Sequence, residues 1–193
     1  MLPSATEEIA SAAARLVVDE GMEYAQAKRK AARQFGATRG RPELPSNEQV
    51  EDEVRSYLAL FHADTQPAEL RTLRELALRW MRRLADFRPY LGGAVWRGTA
   101  TRLSAIHLDL YCDDPKSAEI ALINLGVDYD VVSGDTEVEH LRVSARCPGI
   151  DEPATLFLAI RDRDDQRGAL KPDARGRSWR GDAAALLRLL EDA

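Results

Sequence analysis

Cysteine is scarce: a chain of 193 residues carries only Cys112 and Cys147. Two cysteines are too few for a disulfide framework, and Cys112, inside a strand-like apolar run, reads as a small buried residue. Aromatic residues make up 6% of the chain, and no aromatic–basic interleaving of the kind that stacks single-stranded nucleic acid is present. No apolar run approaches the roughly 20 residues that span a bilayer. The opening "MLPSATEEIA" has neither a basic n-region nor an apolar h-region, so no signal peptide is expected. A soluble protein of the reducing cytoplasm is the expectation. Also absent are the phosphate loop of the Walker type, the glycine fingerprint of dinucleotide folds, zinc-type Cys/His spacing and the Gly-x-Ser-x-Gly elbow. Those absences exclude the function classes that depend on them.

What is present suits a well-solvated domain with a real core. The chain is 45% hydrophobic and 31% charged, with a net charge of -5. The acidic balance argues against a general nucleic-acid binder. The first half has helical period. Ser4 or Thr6 caps a first helix with Ile9, Ala13, Leu16 and Val17 on one face, and Gly21 interrupts it. A second helix carries Tyr24, Ala27, Ala31 and Phe35, with Gly36 as its expected stop. The polar linker "GATRGRPELPSN" leads to a third helix from Asn47 to His62. After "HADTQP" comes a fourth, with Leu70, Leu73, Leu76, Ala77, Trp80, Met81 and Leu84 inward, and Pro89 ends the helical half. The run Lys28 to Gln34 invites a helix-turn-helix reading, against the plainer one of a solvated helical face next to Asp19, Glu20 and Glu23.

Beyond Pro89 the period changes to two. Ala94 to Trp96 and Ile106 to Tyr111 are expected as strands. Asp114-Pro115 opens a helix that stops at Gly126. "YDVVS", a turn at Gly134-Asp135 and "EHLRVSA" follow, and then "ATLFLAI", which is apolar on both faces and reads as a central strand. A charged loop with Lys171, Arg175, Arg177, Trp179 and Arg180 leads to a last helix from Asp182 to about Leu190. The expected class is α+β: a helical N-terminal region over 1–86, then a small mixed sheet with flanking helices over 87–193.

The chemistry-bearing stretch is "GAVWRGTATRLSAIHLDL", Gly93 to Leu110. It resembles the signature of the polymerase-β-type nucleotidyltransferase superfamily: a strand ending in Gly-Ser, a short helical turn with Arg-Gly-Thr, then a strand bearing Asp-x-Asp. The resemblance covers roughly residues 88 to 162. It implies a nucleoside triphosphate held by Gly93, Ala94, Arg97, Gly98 and Thr99. It also implies transfer of a nucleoside monophosphate to a hydroxyl acceptor. The reasons are physical. A glycine lets the backbone approach phosphates, and carboxylates two apart on a strand share a face and together hold Mg²⁺ against the triphosphate.

The departures are equally concrete. Ala94 stands where the serine of Gly-Ser stands. In one register Ala105 and His107 replace the two aspartates; in the other His107 and Asp109 take those places. Either way a carboxylate is lost, and imidazole suits Mg²⁺ poorly, so His107 and Asp109 are the candidate catalytic and metal-binding pair, for Mg²⁺ or the softer Mn²⁺. A third carboxylate falls on "LFLAI", which carries none before Asp162, or on "VDYDVV", as Asp128 or Asp130. Three readings therefore stand side by side: a nucleotidyltransferase; a non-catalytic descendant of that fold that binds a partner or a second copy through its N-terminal helices; and a DNA-binding regulator built on the first two helices. Plainer readings accompany them: His107 and Asp109 on a solvent face, Asp113 and Asp114 as turn and cap residues, Gly92-Gly93 as a turn, and the late loop as a flexible connection.

Overall fold

The computed structural model describes residues 4–39, 43–132, 138–174 and 176–192. The expected turn at Gly134-Asp135 and Arg175 lie outside them. The chain divides into two compact units, Met1–Pro67 with Thr99–Leu103 and Ala68–Gly98 with Ser104–Ala193.

The first unit is helical. Helix α1 (Ala5–Glu20) starts at Ser4, whose hydroxyl accepts from Glu7 N while the Glu7 carboxylate accepts from Ser4 N. This reciprocal capping box satisfies two otherwise orphaned backbone donors. Helix α2 (Tyr24–Arg39) runs past Gly36, the expected stop. A single glycine costs a helix interior only about 1 kcal/mol, which neighbouring turns absorb. Helix α3 (Asn47–Phe61) repeats the capping box with Ser46 and Gln49. The core is built on small residues: Ala10, Ala13 and Ala14 of α1 and Ala27 and Ala31 of α2 are buried with Ile9, Val50, Val54 and Leu58. The basic run of α2 is partly spent inside this unit. Lys28 donates to Pro45 O and Asn47 Oδ1, and Lys30 pairs with Glu20 at 2.6 Å.

Helix α4 (Gln66–Arg83) opens the second unit and buries Leu73, Leu76, Ala77, Trp80 and Met81. After a 3-10 turn (Ala85–Phe87) come strand β1 (Tyr90–Gly92) and the short helix α5 (Gly93–Arg97). The expectation of a strand over Ala94 to Trp96 is therefore corrected. The alternation of Val95 with its neighbours is too short to separate the two periods, and Gly98, at φ 85°, closes a helical turn. Strand β2 (Ile106–Tyr111), helix α6 (Lys116–Asn124), strands β3 (Tyr129–Val132), β4 (Glu139–Ala145) and β5 (Ala154–Arg161), and helix α7 (Ala183–Glu191) complete it. Asp114 Oδ1 accepts from Lys116 N and Asp182 Oδ1 from Ala185 N, so both acids cap helices.

The sheet order is β1-β2-β5-β4-β3. Only β2 and β5 run parallel; the other neighbouring pairs are antiparallel. This is a mixed α+β architecture, and "ATLFLAI" is the central strand. Strand alternation assigns the faces. Ile106, Leu108, Leu110, Leu141, Val143, Leu156, Leu158 and Ile160 lie on one face, each 6% exposed or less. The opposite face carries His107, Asp109 and Tyr111 of β2 in register with Phe157, Ala159 and Arg161 of β5, and with Gly92 and Tyr90 of β1.

The segment before α7 is tied to this sheet. Gly181 and Leu91 exchange backbone hydrogen bonds of 2.9 and 3.0 Å, and Trp96 Nε1 donates to Ser178 O at 2.8 Å. A Cβ on Gly181 would lie 2.0 Å from the Trp96 ring, a separation no side chain tolerates. Gly181→Ala is expected to cost about 3 kcal/mol, the upper end for overpacking. Urea unfolding checks it, and a midpoint equal to that of the native chain would refute the close approach.

Candidate functional site on the polar face of the sheet

The centre of this face is Asp109. It sits mid-strand on β2 and is 8% exposed. A carboxylate so placed needs charged partners, because desolvating an unpaired ion costs several kcal/mol. It has two. Arg161 Nε donates to Oδ1 at 2.7 Å, and Arg180 Nε pairs with Oδ2. Arg161 comes from the end of β5, two residues beyond Ala159, the register partner of Asp109. Arg180 comes from the segment pinned to β1 and α5. The two guanidiniums occupy both oxygens of the carboxylate.

Beneath them Tyr111 is 1% exposed, and its hydroxyl has no hydrogen-bond partner among the described residues. Burial, with the Asp109 carboxylate second, pushes its phenol up to about 12. Its ring meets the edge of Tyr90 at 5.2 Å. Further along β2, the His107 ring stacks on Phe157 at 5.4 Å. Gly93, at φ 67°, lies directly over that imidazole, where a Cβ would come within 3.1 Å of His107 Cδ2. The glycine is thus required by His107 and by its left-handed backbone, whatever else it contacts.

The expected site residues fall as follows. Gly93, His107 and Asp109 are brought to one face. Ala105 precedes β2, so only the register with His107 and Asp109 puts both positions on the strand. Arg97 ends α5 with its guanidinium 5.5 Å from the Trp179 ring centre, and Arg177 takes a similar position at 5.5 Å. Ala94 and Gly98 lie on the same short helix and its cap. Thr99 belongs to the helical unit and is 2% exposed, its hydroxyl without a hydrogen-bond partner among the described residues. Asp128 and Asp130 lie just before and on β3, at the far edge of the sheet from β1, and Asp130 pairs with Arg142 at 2.7 Å. Neither lies on a strand next to β2. Of the two strands that lie next to β2, β5 presents Phe157 and Ala159 there and β1 presents Gly92 and Tyr90.

The late loop is no free connection. Asp173 accepts from Arg177 N at 2.9 Å and pairs with its guanidinium at 3.1 Å, and Ser178 and Trp179 are held against α5. Of the two arginines that hold Asp109, the sequence reading names Arg180, as part of the charged late loop, and misses Arg161. Arg161 was recoverable, since alternation along β5 puts it on the face of Ala159. The charge of the late loop marked Arg180, but not its pairing with Asp109, which depends on where the loop returns.

Mg²⁺ demands a near-octahedral shell of oxygens. Around His107, strands β1, β2 and β5 offer this face one carboxylate, already facing two guanidiniums, and an imidazole stacked on a phenyl ring; Asp130 shares the face on the far edge strand β3, paired with Arg142. Among the described residues no group of three or more His, Cys, Asp or Glu could hold a metal ion. The residues present do not fit Mg²⁺, and Mn²⁺ gains only the nitrogen of His107. No helix among the described residues is long and apolar enough to cross a membrane.

No family model and no curated protein matches the chain. Solved structures of Cid1 poly(U) polymerase are similar to it in part. The form bound to MgGTP is 12% identical, with 57% of this chain and 38% of that one covered, at a TM-score of 0.39. The complex with the UTP analogue UMPNPP is 10% identical, covers 57% and 36%, and has a TM-score of 0.36. A further structure of the same polymerase is 12% identical, covers 62% and 39%, and has a TM-score of 0.38. The chain spans less than two fifths of the length of these structures.

Two outcomes are expected. Asp109→Asn removes the charge that two guanidiniums share and is expected to cost about 3 kcal/mol, the low end for breaking a buried pair, because both arginines keep some solvent. Denaturant unfolding reads it, and a loss under 0.5 kcal/mol, the scale of an exposed pair, would contradict the arrangement. For Tyr111 the sign follows from the raised folded-state value. Below pH 10 both states keep the phenol proton. Between pH 10 and about 12 the unfolded chain loses it first, so stability falls through that window by up to about 2.7 kcal/mol. Tyr111→Phe is expected to flatten that fall while leaving stability at pH 7 nearly unchanged, since it deletes a hydroxyl that bonds to nothing. An unchanged alkaline slope would refute it.

Proposed function

We propose that the second unit is a nucleotidyltransferase-like module that binds rather than transfers, with a nucleoside triphosphate as its candidate ligand. The supporting order is local: a strand ending in glycine, a short helical turn closing on Arg97-Gly98, then a strand with His107 and Asp109 on one face. The observation that carries the non-catalytic part is the occupation of both Asp109 oxygens by Arg161 and Arg180. A two-metal transfer needs carboxylate oxygens free to bridge cations to phosphate. Here the position beside Asp109 on the neighbouring strand is an alanine. The guanidiniums instead supply fixed positive charge, suited to an anion without a metal. The helical unit, with Leu60 and Phe61 exposed at the end of α3, is the part that meets a partner or a second copy.

The test is a turnover assay with each nucleoside triphosphate, Mg²⁺ or Mn²⁺ and a hydroxyl acceptor, beside a binding measurement with the same nucleotides. Binding without pyrophosphate release, in the native chain and in Asp109→Asn alike, is the expected result. Metal-dependent pyrophosphate release that Asp109→Asn abolishes would restore the transferase reading, with His107 and Asp109 as its metal pair. Absence of any nucleotide binding would remove the ligand from the proposal.

A further inference from the structure

A second region of the sheet unit has the charge pattern of a site. A groove of about 770 Å³ is lined by α4, the turn after α6 and the end of β4. Its volume lies in the range of small-molecule sites, about 300–1,000 Å³. Three guanidiniums line it: Arg79 and Arg83, four residues apart and so on one side of α4, and Arg146, just past β4. No carboxylate among the described residues lies within ion-pairing distance of any of them. Among the described residues Arg82 and Arg188 also lack an acid partner, but they do not line the groove. Six other arginines of the unit, Arg71, Arg142, Arg161, Arg163, Arg177 and Arg180, pair with acids.

This chain has more acids than bases, so leaving three guanidiniums together without an ion-paired carboxylate is not forced by composition. Like charges gathered in a concavity repel one another, and an anion relieves that repulsion. Asp128 also lines the groove and leaves it with a net charge of +2. One carboxylate would not balance that charge. A phosphate dianion does, and a di- or triphosphate carries enough further oxygens to reach guanidiniums that stand on two separate elements, α4 and the end of β4. The site is also partly organised. The Arg83 guanidinium rests over the buried Trp80 ring, 4.5 Å from its centre, which limits its freedom and aims its donors. Ser144 also lines the groove, and its hydroxyl is a neutral donor.

We propose that this groove binds the di- or triphosphate group of a small organic molecule, through Arg79, Arg83 and Arg146. It shares no residue with the Asp109 face, and it stands whether or not that face binds a nucleotide.

The experiment is calorimetric titration of the full chain with inorganic tripolyphosphate, with inorganic phosphate, with a nucleoside triphosphate and with a single-stranded RNA 20-mer. Three proteins are compared: the native chain, Arg79→Gln/Arg146→Gln, and Arg82→Gln, an arginine of the same helix that does not line the groove. The expected result is saturable binding of tripolyphosphate and the nucleoside triphosphate to the native chain and to Arg82→Gln, weakened at least tenfold in the double variant. Inorganic phosphate should bind more weakly than either. The altered side chains are exposed, and an unchanged ligand-free melting midpoint confirms that the double variant folds. Equal tripolyphosphate binding in all three proteins would overturn the proposal and place the anion elsewhere, the Asp109 face included. No tripolyphosphate binding to the native chain would overturn it outright. Binding of RNA without tripolyphosphate, lost in the double variant, would replace the small ligand with a nucleic acid.

Discussion

The carboxylate of Asp109, held between two arginines, is the interaction on which the sheet unit turns. It buries a charge in the middle of a β-strand. Such a burial persists only if every oxygen is matched by charged donors at short range. The matching arginines come from distant parts of the chain. Arg161 is placed by the parallel register of β2 and β5, which puts it on the Asp109 face. Arg180 is placed by the return of the chain past β1, and that return in turn requires Gly181 to lie against Trp96. One buried charge thus ties the C-terminal segment to the sheet, and the tight packing nearby is the geometric condition for it.

The same pairing bears on chemistry. A divalent cation and a guanidinium compete for the same carboxylate lone pairs. A divalent ion wins where several carboxylates converge, because each added anion strengthens its hold while raising the cost of leaving the anions unpaired. With a single carboxylate on the β1, β2 and β5 part of the face, the balance falls the other way: two fixed guanidiniums match one anion without dehydrating a metal. The residues around Asp109 are consistent with the arginines, since His107, Phe157 and Ala159 bring no second carboxylate to compete for them. His107 packs on Phe157 as an aromatic would, and Gly93 closes over it.

Much of this was legible in the sequence, and the losses have physical reasons. Helices α1, α3, α4, α6 and α7 follow from period and caps, because their signals are local. Strands β2, β4 and β5 follow from alternation, and the apolar run of β5 marks it as central. Strand β1 was missed because three residues, one of them glycine, carry no period. The short helix α5 was read as a strand because five residues hold little more than one helical turn. At the site, the resemblance to the nucleotidyltransferase signature brought Gly93, His107 and Asp109 together as candidates. It did not reveal that Asp109 is paired, because ion pairs are made across the sheet and depend on register. Nor did it mark Arg79, Arg83 and Arg146 as one group, for two lie on a helix and the third lies more than sixty residues on.

The distribution of charge, rather than its total, gives the groove its selectivity. A net charge of -5 repels long polyanions at a distance, and screening confines that repulsion to about 8 Å at physiological ionic strength. A nucleic acid extends well past the groove and meets the acidic surface along its length. A short polyphosphate fits inside one screening length of the three guanidiniums and meets little else. Because most of the other arginines of this unit named above are spent on its carboxylates, the local field of the groove is set by its own residues. An acidic protein with a basic pocket therefore favours small anions over large ones, and the groove bounded by Arg79, Arg83 and Arg146 is built on that difference.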